Sequence, residues 1–384
     1  MKSDQLIYLD NNATTRTDPA VVEAMLPYWS ELYLNPSSLA GDMFGAAQPI
    51  QEAKVAIAQL IRAEPSEIFL TSGATESNNW VLQSTIQRII RQKGSCRILV
   101  SAIEHPSVLD TLEALKLADK KIHIELIPVL SNGQICLNAL VNLLKKETDF
   151  VSIMFANNES GVIQPLIEAA LQIKTIHPDC IIHTDATQAT GKIPVDLNHE
   201  LQDIDLLSLS AHKFHGPKGI GALFIRSGIH LEPLIYGGNQ QAGMRAGTEN
   251  PALAAGLAQA AKLAKLHIQD MSSIQKLRDT METKIANQVP NVTILGSDSP
   301  RLPNTALLLF RHTEGDMIVH NLLENGIACS TGAACSRGTD VPSHVVTAMG
   351  VDHDHARNVV RFSISKETTL REIDDAVAAL IKYN

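Results

Sequence analysis

Lys213 stands in "SLSAHKFHGPKG", directly behind an apolar run and beside Ser210, His212 and Gly216. A lysine in that setting is either a solvated loop residue, like Lys218, or an amine that attacks an aldehyde. Other apolar runs also end in reactive side chains. "CIIHT" is followed by "DATQ", which sets Asp185 at the end of a strand and Gln188 three residues on. A carboxylate there needs a partner, either the next turn of backbone or a protonated heterocyclic nitrogen. "EIFL" runs into "TSGATESNN", where Gly73 allows a tight turn and Ala74 and Thr75 open a helix. Thr75 is then a helix cap or, with the free N–H groups, part of a phosphate cradle. "RILVS" runs into "AIEHPS", with His105 before Pro106. That imidazole is exposed or capping, or it stacks on a flat ring and moves protons. "FVSIMFA" ends in "NNESG", bringing Asn157, Asn158 and Glu159.

A phosphate cradle, a ring contact, a carboxylate for a pyridinium nitrogen and a lysine for an aldehyde together describe a pyridoxal 5'-phosphate site. A dinucleotide site fits worse, because the glycines of "GPKGIG" have the wrong spacing.

A second cluster, "CSTGAACSRGTD", holds two of the five cysteines, Cys329 and Cys335. Their spacing matches no common zinc pattern and no paired C-x-x-C accompanies them. Cys329 ends the apolar run "NGIAC" and reads as a small buried residue. Cys335 follows Gly332, Ala333 and Ala334 and precedes a polar stretch, so it reads as the thiol presented to the site.

These residues need a scaffold. Seven short apolar runs recur, including "RILVSA", "HIELIPV" and "GALFIR", and several of them lack polar alternation, as strands buried on both faces do. Amphipathic stretches such as "ESNNWVLQSTIQRIIRQK" lie between some of them, which predicts an α/β domain with a mainly parallel sheet. In such sheets ligands bind beyond the carboxyl ends of the strands. One long helix is predicted from Pro251 to Asn287. The strands "NVTILG", "NTALLLF" and "NVVRFSI" with further helices then form a smaller α+β domain. The division expected is 15–255 for the large domain, with 1–14 and 256–384 in the small one.

The 384 residues are 45% hydrophobic and 19% charged, with a net charge of −9 and no basic block, which argues against a nucleic-acid partner. The opening "MKSDQLIYLDNNATT" has no apolar core for a signal peptide, and "PALAAGLAQAAKLAKLHI" is interrupted by Lys262 and Lys265, so no membrane span is expected. Five irregularly spaced cysteines fit a reducing cytoplasm better than a disulfide framework.

With these residues in view, the chain resembles the cysteine desulfurases of the NifS/IscS type, in the class V aminotransferase family. The likeness runs in order through "YLDNNATT", "NPSS", "TSGATESNN", "EHPSVL", "NNESGVIQP", "HTDATQATGK", "SAHKFHGPKGIGAL", "GGNQQAGMRAGTEN", "GAACS" and "RFSI". The resemblance implies a fold-type I pyridoxal phosphate homodimer with a seven-stranded sheet. Lys213 would bind the cofactor aldehyde, Asp185 the pyridine nitrogen and Gln188 the ring hydroxyl. His105 would stack on the ring beside Asn158. Ala74, Thr75, Ser210 and His212 would hold the phosphate, and Thr248 would reach the phosphate of the second subunit. Arg361 would bind the substrate carboxylate, with Asn11 and Asn35 bordering the substrate. Cys335 would take sulfur from L-cysteine as a persulfide, leaving L-alanine, and pass it to an acceptor protein such as an iron–sulfur scaffold. No metal is implied.

The alternatives are a selenocysteine lyase, another class V reaction or a non-catalytic binding subunit. Plain transamination needs no thiol, and the full set of Lys213, Asp185, His105, Arg361 and Cys335 argues against a binding subunit. Three departures are visible. Gly41 and Asp42 stand where relatives usually carry a histidine after "NPSS". The stretch "SRGTDVPS" after Cys335 has the length of the mobile-loop class but other residues. The end at Asn384 is shorter than in relatives that dock the iron–sulfur scaffold through an extension.

Overall fold

The seven apolar runs become the strands of one sheet. The computed structural model describes residues 6–332 and 342–383. Strands β1 (Ile68–Thr71), β2 (Cys96–Ser101), β3 (Ile122–Ile127), β4 (Phe150–Ser152), β5 (Ile181–Asp185), β6 (Leu206–Ser210) and β7 (Gly221–Ile225) lie in the order β1-β7-β6-β5-β4-β2-β3. Strand β7 alone runs against the rest, pairing antiparallel with β1 and β6, while the other ladders are parallel. Strands β4 to β7 are buried at every residue, the polar ones of IIHTD and LLSLS included. Strand β3 lies at the edge and is partly exposed.

Successive side chains serve opposite faces of the sheet. Leu99, Val151, Ile182 and Leu207 enter one core with Ile57 and Ile61 of helix α1 (Gln48–Ile61). Ile98, Val100, Phe150 and Leu206 enter the other with Trp80 and Ile86 of α2 (Ala74–Lys93) and Val108 and Leu112 of α3 (Pro106–Ala118). Helix α4 (Leu166–Ile176) adds Leu166, Ala169 and Ile173 to the first core.

The single helix expected from Pro251 to Asn287 is two. Helix α5 (Pro251–His267) and helix α6 (Met271–Gln288) are separated by a tight turn at Ile268–Asp270. The reason lies in the burial. Helix α5 turns Ala254, Leu257, Ala261 and Ala264 to the large sheet, whereas α6 turns Ile274, Met281 and Ile285 to a different core. One straight helix cannot face both. The two cores therefore part at the 268–270 turn, while position 255/256 falls inside α5.

The second core is built on an antiparallel sheet of β8 (Val292–Leu295), β9 (Thr305–Phe310) and β10 (Val359–Ser363), with β9 central. Helix α7 (Gly315–Glu324) and helix α8 (Leu370–Tyr383) pack on it with α6. The N-terminal segment ties the halves together. Ile7–Tyr8 pairs in parallel with Ile327–Ala328, and Leu9 is buried in the second core. Six residues later Thr15 N donates to His212 O at 2.9 Å, in the large domain. No helix among the described residues is long and apolar enough to cross a membrane.

Candidate active site

The residues that follow β1, β2, β5 and β6 surround a cavity of about 510 Å³, completed by Asn12, Ala13 and Thr14 and by Arg361 of β10. Its construction starts with two glycines. Gly73 has φ of 151° and precedes α2 without any side-chain cap. Gly221 on β7 packs beneath it: an added Cβ would sit 2.7 Å from Gly73 Cα and 2.4 Å from Leu209 O. The turn thus rests directly on the sheet, and the uncapped N–H groups of the α2 start are left beside the cavity that Ala74 and Thr75 line. Thr75 is the second residue of the helix, not its cap.

Asp185 ends β5 as a carboxylate gripped by two donors. Asn78 Nδ2 donates to Oδ2 at 2.8 Å and Thr187 N to Oδ1 at 2.9 Å. The same Asn78 amide group donates to Ser107 Oγ at 2.9 Å. His105 caps α3: its Nδ1 accepts from Ser107 N at 3.1 Å. Because that nitrogen accepts, the neutral ring carries its proton on Nε2. Burial lowers the His105 pKa below the usual histidine value; the Asp185 carboxylate opposes that shift and Lys213 adds to it.

Lys213 Nζ donates to Asn12 O at 2.7 Å and Ala13 O at 2.9 Å, so the N-terminal segment holds the amine. His212 Nδ1 lies 3.0 Å from Thr14 Oγ1, and burial, helped by Lys213, brings its pKa down to about 4. Arg361 is 1% exposed. Its Nη2 donates to Asp10 Oδ1 at 2.6 Å and its Nη1 to Asn158 O at 3.1 Å. Its buried Nε has no partner among the described residues, and the side chain lines the cavity.

Ala74, Thr75, His105, Asn158, Asp185, Gln188, Ser210, His212, Lys213 and Arg361 thus line one cavity. Three other candidates stand apart. Asn11 faces away, its Nδ2 donating to Ser363 O at 2.9 Å, and it lines a smaller neighbouring cavity. Asn35 is exposed, and its Oδ1 accepts from Ser37 N at 2.9 Å. Gly41 is pressed onto the carbonyl of Asn35, where an added Cβ would come within 1.9 Å, so this position has no room for a side chain. Thr248 is exposed and lines a separate crevice with Arg245 and Glu249. Cys335 lies outside the described residues.

Asn12, Asn78, Ser107 and Thr187 belong to the site but were not singled out from the sequence. Asn78 carried a usable signal: with Ser77 and Thr85 it puts polar groups on the buried side of α2. Asn12 carried none beyond its neighbour Asn11.

The donor set fits pyridoxal phosphate. An uncapped helix start suits its phosphate, a doubly held carboxylate its ring nitrogen, and a lysine its aldehyde. Among the described residues no cluster of histidine, cysteine, aspartate and glutamate could hold a metal ion.

Comparison with known proteins agrees with this geometry. A family model described as aminotransferase class-V matches residues 7–375. "Cysteine desulfurase 2" of Trichormus variabilis is 41% identical over 371 residues, covering 96% of this chain and 90% of that protein. Among solved structures, a NifS-like protein superposes with a TM-score of 0.90 at 36% identity, covering 98% of both chains. The structure of SspA in complex with cysteine matches with a TM-score of 0.80 at 30% identity, covering 93% of this chain and 98% of that one.

Proposed function

This chain belongs to the class-V aminotransferase family, and from that premise we propose that it acts as a pyridoxal phosphate-dependent cysteine desulfurase, converting L-cysteine to L-alanine with its sulfur taken up on Cys335. The observation that carries the reading is the meeting of Lys213, Asp185, His105, Arg361 and the α2 start around one cavity. Bound there, pyridoxal phosphate supplies an aldehyde for amines and a ring that takes up electrons when a substrate proton leaves.

The residues divide the work. Arg361 receives the substrate carboxylate through its guanidinium edge, already fixed by Asp10 and Asn158. Lys213 would hold the cofactor aldehyde and, as a free amine, would take the substrate α-proton. Asp185, oriented by Asn78 and Thr187, would face the ring nitrogen of the bound cofactor. His105, with its proton on Nε2, has an N–H to offer across the cavity. The Cys335 thiolate attacks the substrate sulfur: the carbon–sulfur bond breaks, a sulfur–sulfur bond forms, and the carbon takes up a proton to become the methyl group of alanine. The placement of Gly332 supports this role for Cys335. Gly332 packs on the Glu159 carboxylate, next to Asn158 of the cavity, with 2.6 Å left for an added Cβ. Three further residues of chain span at most about 10 Å.

Cys96 and Cys329 suit no such step. Cys329 is buried, and burial pushes its thiol pKa far up; burial likewise pushes Cys96 up to about 12. All four described cysteines are unpaired, which supports a reducing, cytoplasmic setting. A homodimer is part of the reading. The exposed Thr248 and the exposed apolar side chains Leu26, Trp29, Tyr33, Leu39, Met43 and Phe44 support a surface that a second copy covers. An acceptor protein then removes the persulfide sulfur.

The test is a single turnover with L-cysteine, measuring alanine and protein-bound persulfide. The wild type yields both in equal amounts. Lys213→Ala loses the visible absorbance of the holoenzyme and both products. Cys335→Ser yields neither product, and Cys329→Ser keeps most of both. Full alanine formation by Cys335→Ser would overturn the reading, and cleavage of selenocysteine alone by the wild type would replace it with a selenocysteine lyase.

A further inference from the structure

Lys192 closes the run "DATQATGK", four residues after Gln188, and the reaction above makes no use of it. It is 6% exposed. Its Nζ lies 2.5 Å from Gln188 Oε1 and 3.2 Å from Asn12 Oδ1, and the described residues give it no ion-pair partner. A buried amine without a carboxylate is costly, so it must do something that an apolar side chain of the same length would not.

The orientation of the two amides shows what that is. Gln188 Nε2 donates to the main-chain carbonyl of Asn12 at 3.0 Å, and Asn12 Nδ2 donates to the main-chain carbonyl of Asn158 at 3.1 Å. A carbonyl accepts only from a donor, so each amide turns its N–H edge to a main-chain carbonyl and its oxygen to Lys192, and the two contacts hold it in one orientation. Burial, together with the cations of Lys213 and Arg361 nearby, lowers the Lys192 pKa well below the ordinary value. Its Nζ donates to both oxygens. Gln188 lines the main cavity, and with Oε1 occupied and one N–H spent on Asn12 O, it has a single N–H left to offer there.

We propose that Lys192 is a positioning residue: by occupying Gln188 Oε1 it keeps the N–H edge of that amide toward the cavity, so that the cavity selects a bound ring bearing an oxyanion at that place. This rests on the reading that pyridoxal phosphate occupies the cavity, whose ring carries such an oxygen. A donor on the oxyanion draws negative charge away from the nitrogen of Lys213 when the cofactor is attached to it. That nitrogen then holds its proton less tightly.

The experiment is a pH titration of the visible absorbance of the holoenzyme in wild type, Lys192→Met, Gln188→Met and the double variant. Lys192→Met is expected to raise the midpoint, with the proton held about tenfold more tightly, the size of one hydrogen bond to a charged group. Gln188→Met should raise it equally, and Lys192→Met should add nothing in the Gln188→Met background, because Lys192 acts through Gln188. Lys192→Gln, which keeps an N–H donor, should restore the wild-type midpoint. Should Lys192→Met not fold, Lys192→Gln and a cycle of Lys192→Leu with Gln188→Met carry the same comparison. A wild-type midpoint in Lys192→Met, or equal shifts that add in the double variant, would overturn the proposal. A wild type that takes up no cofactor would instead sink the function on which it rests.

Discussion

Asn78 holds the Asp185 carboxylate from the side, with Nδ2 at 2.8 Å from Oδ2. The contact crosses from the second turn of α2 to the end of β5, so the helix whose uncapped start lines the cavity also orients the carboxylate proposed for the ring nitrogen. Asn78→Leu keeps the volume and removes the donor. A hydrogen bond to a charged group contributes roughly 1.5–3 kcal/mol, so alanine formation should slow by about tenfold or more. Asp185→Asn should slow it further, since the carboxylate itself is gone. Steady-state rates for the two variants check the order.

His105 has two jobs that substitution can separate. As the cap of α3 it accepts from Ser107 N, and as a cavity residue it presents a ring. His105→Ala should lose both, with a stability cost of about 1 kcal/mol from the missing cap. His105→Asn restores a capping side chain, so urea unfolding should return to the wild-type midpoint while alanine formation stays depressed. Recovery of activity in His105→Asn would show that capping was the whole of its role.

Arg361 is braced by Asp10 and Asn158 with its Nε left over. A lysine cannot make both bracing bonds and also present a flat edge to a carboxylate. Arg361→Lys should therefore raise the KM for cysteine by at least about tenfold, the loss of one charge-assisted bond, with a smaller change in kcat. Equal falls in kcat and kcat/KM would place Arg361 in the chemical step instead.

His183 lies two residues before Asp185 on the same strand, buried between Ser152 Oγ at 2.9 Å and Ser208 Oγ at 3.1 Å. Burial pushes its pKa down to about 4, against an ordinary histidine value of about 6.5. Between those values the unfolded chain binds a proton that the folded chain refuses, so stability falls as pH drops through this window and is fully present above it. His183→Gln removes the titration, so wild type should lose stability more steeply than the variant between pH 7 and pH 4 in urea unfolding. Parallel profiles would exclude His183 as the source.

Much of the molecule was legible from its sequence because one rule governed it: apolar runs without alternation became buried strands, and reactive side chains stood just past their ends. Lys213, Asp185, His105 and Thr75 were found that way, and the cavity gathers them. What escaped notice depended on distance in the chain. Asn78 reaches Asp185 across 107 positions and Asn12 serves Lys213 across 201, and no local pattern signals either. Asn11 and Asn12 are neighbours of the same type, and only their registry against Ser363 and Thr305 decides which one faces the cavity. The break between α5 and α6 escaped for a different reason: helical periodicity persists through it, while the core it points to changes.

The ion pair between Asp10 and Arg361 joins residues 351 positions apart. It sits among other long ties of the same segment, Asn11 to Ser363 and Asn12 to Thr305. A chain emerging from the ribosome residue by residue makes the large sheet long before β10 exists. The amine of Lys213 therefore waits for its substrate clamp until nearly all of the protein has been translated. Until then no carboxylate can be gripped at Arg361, so the cavity is complete only when nearly the whole chain has been made.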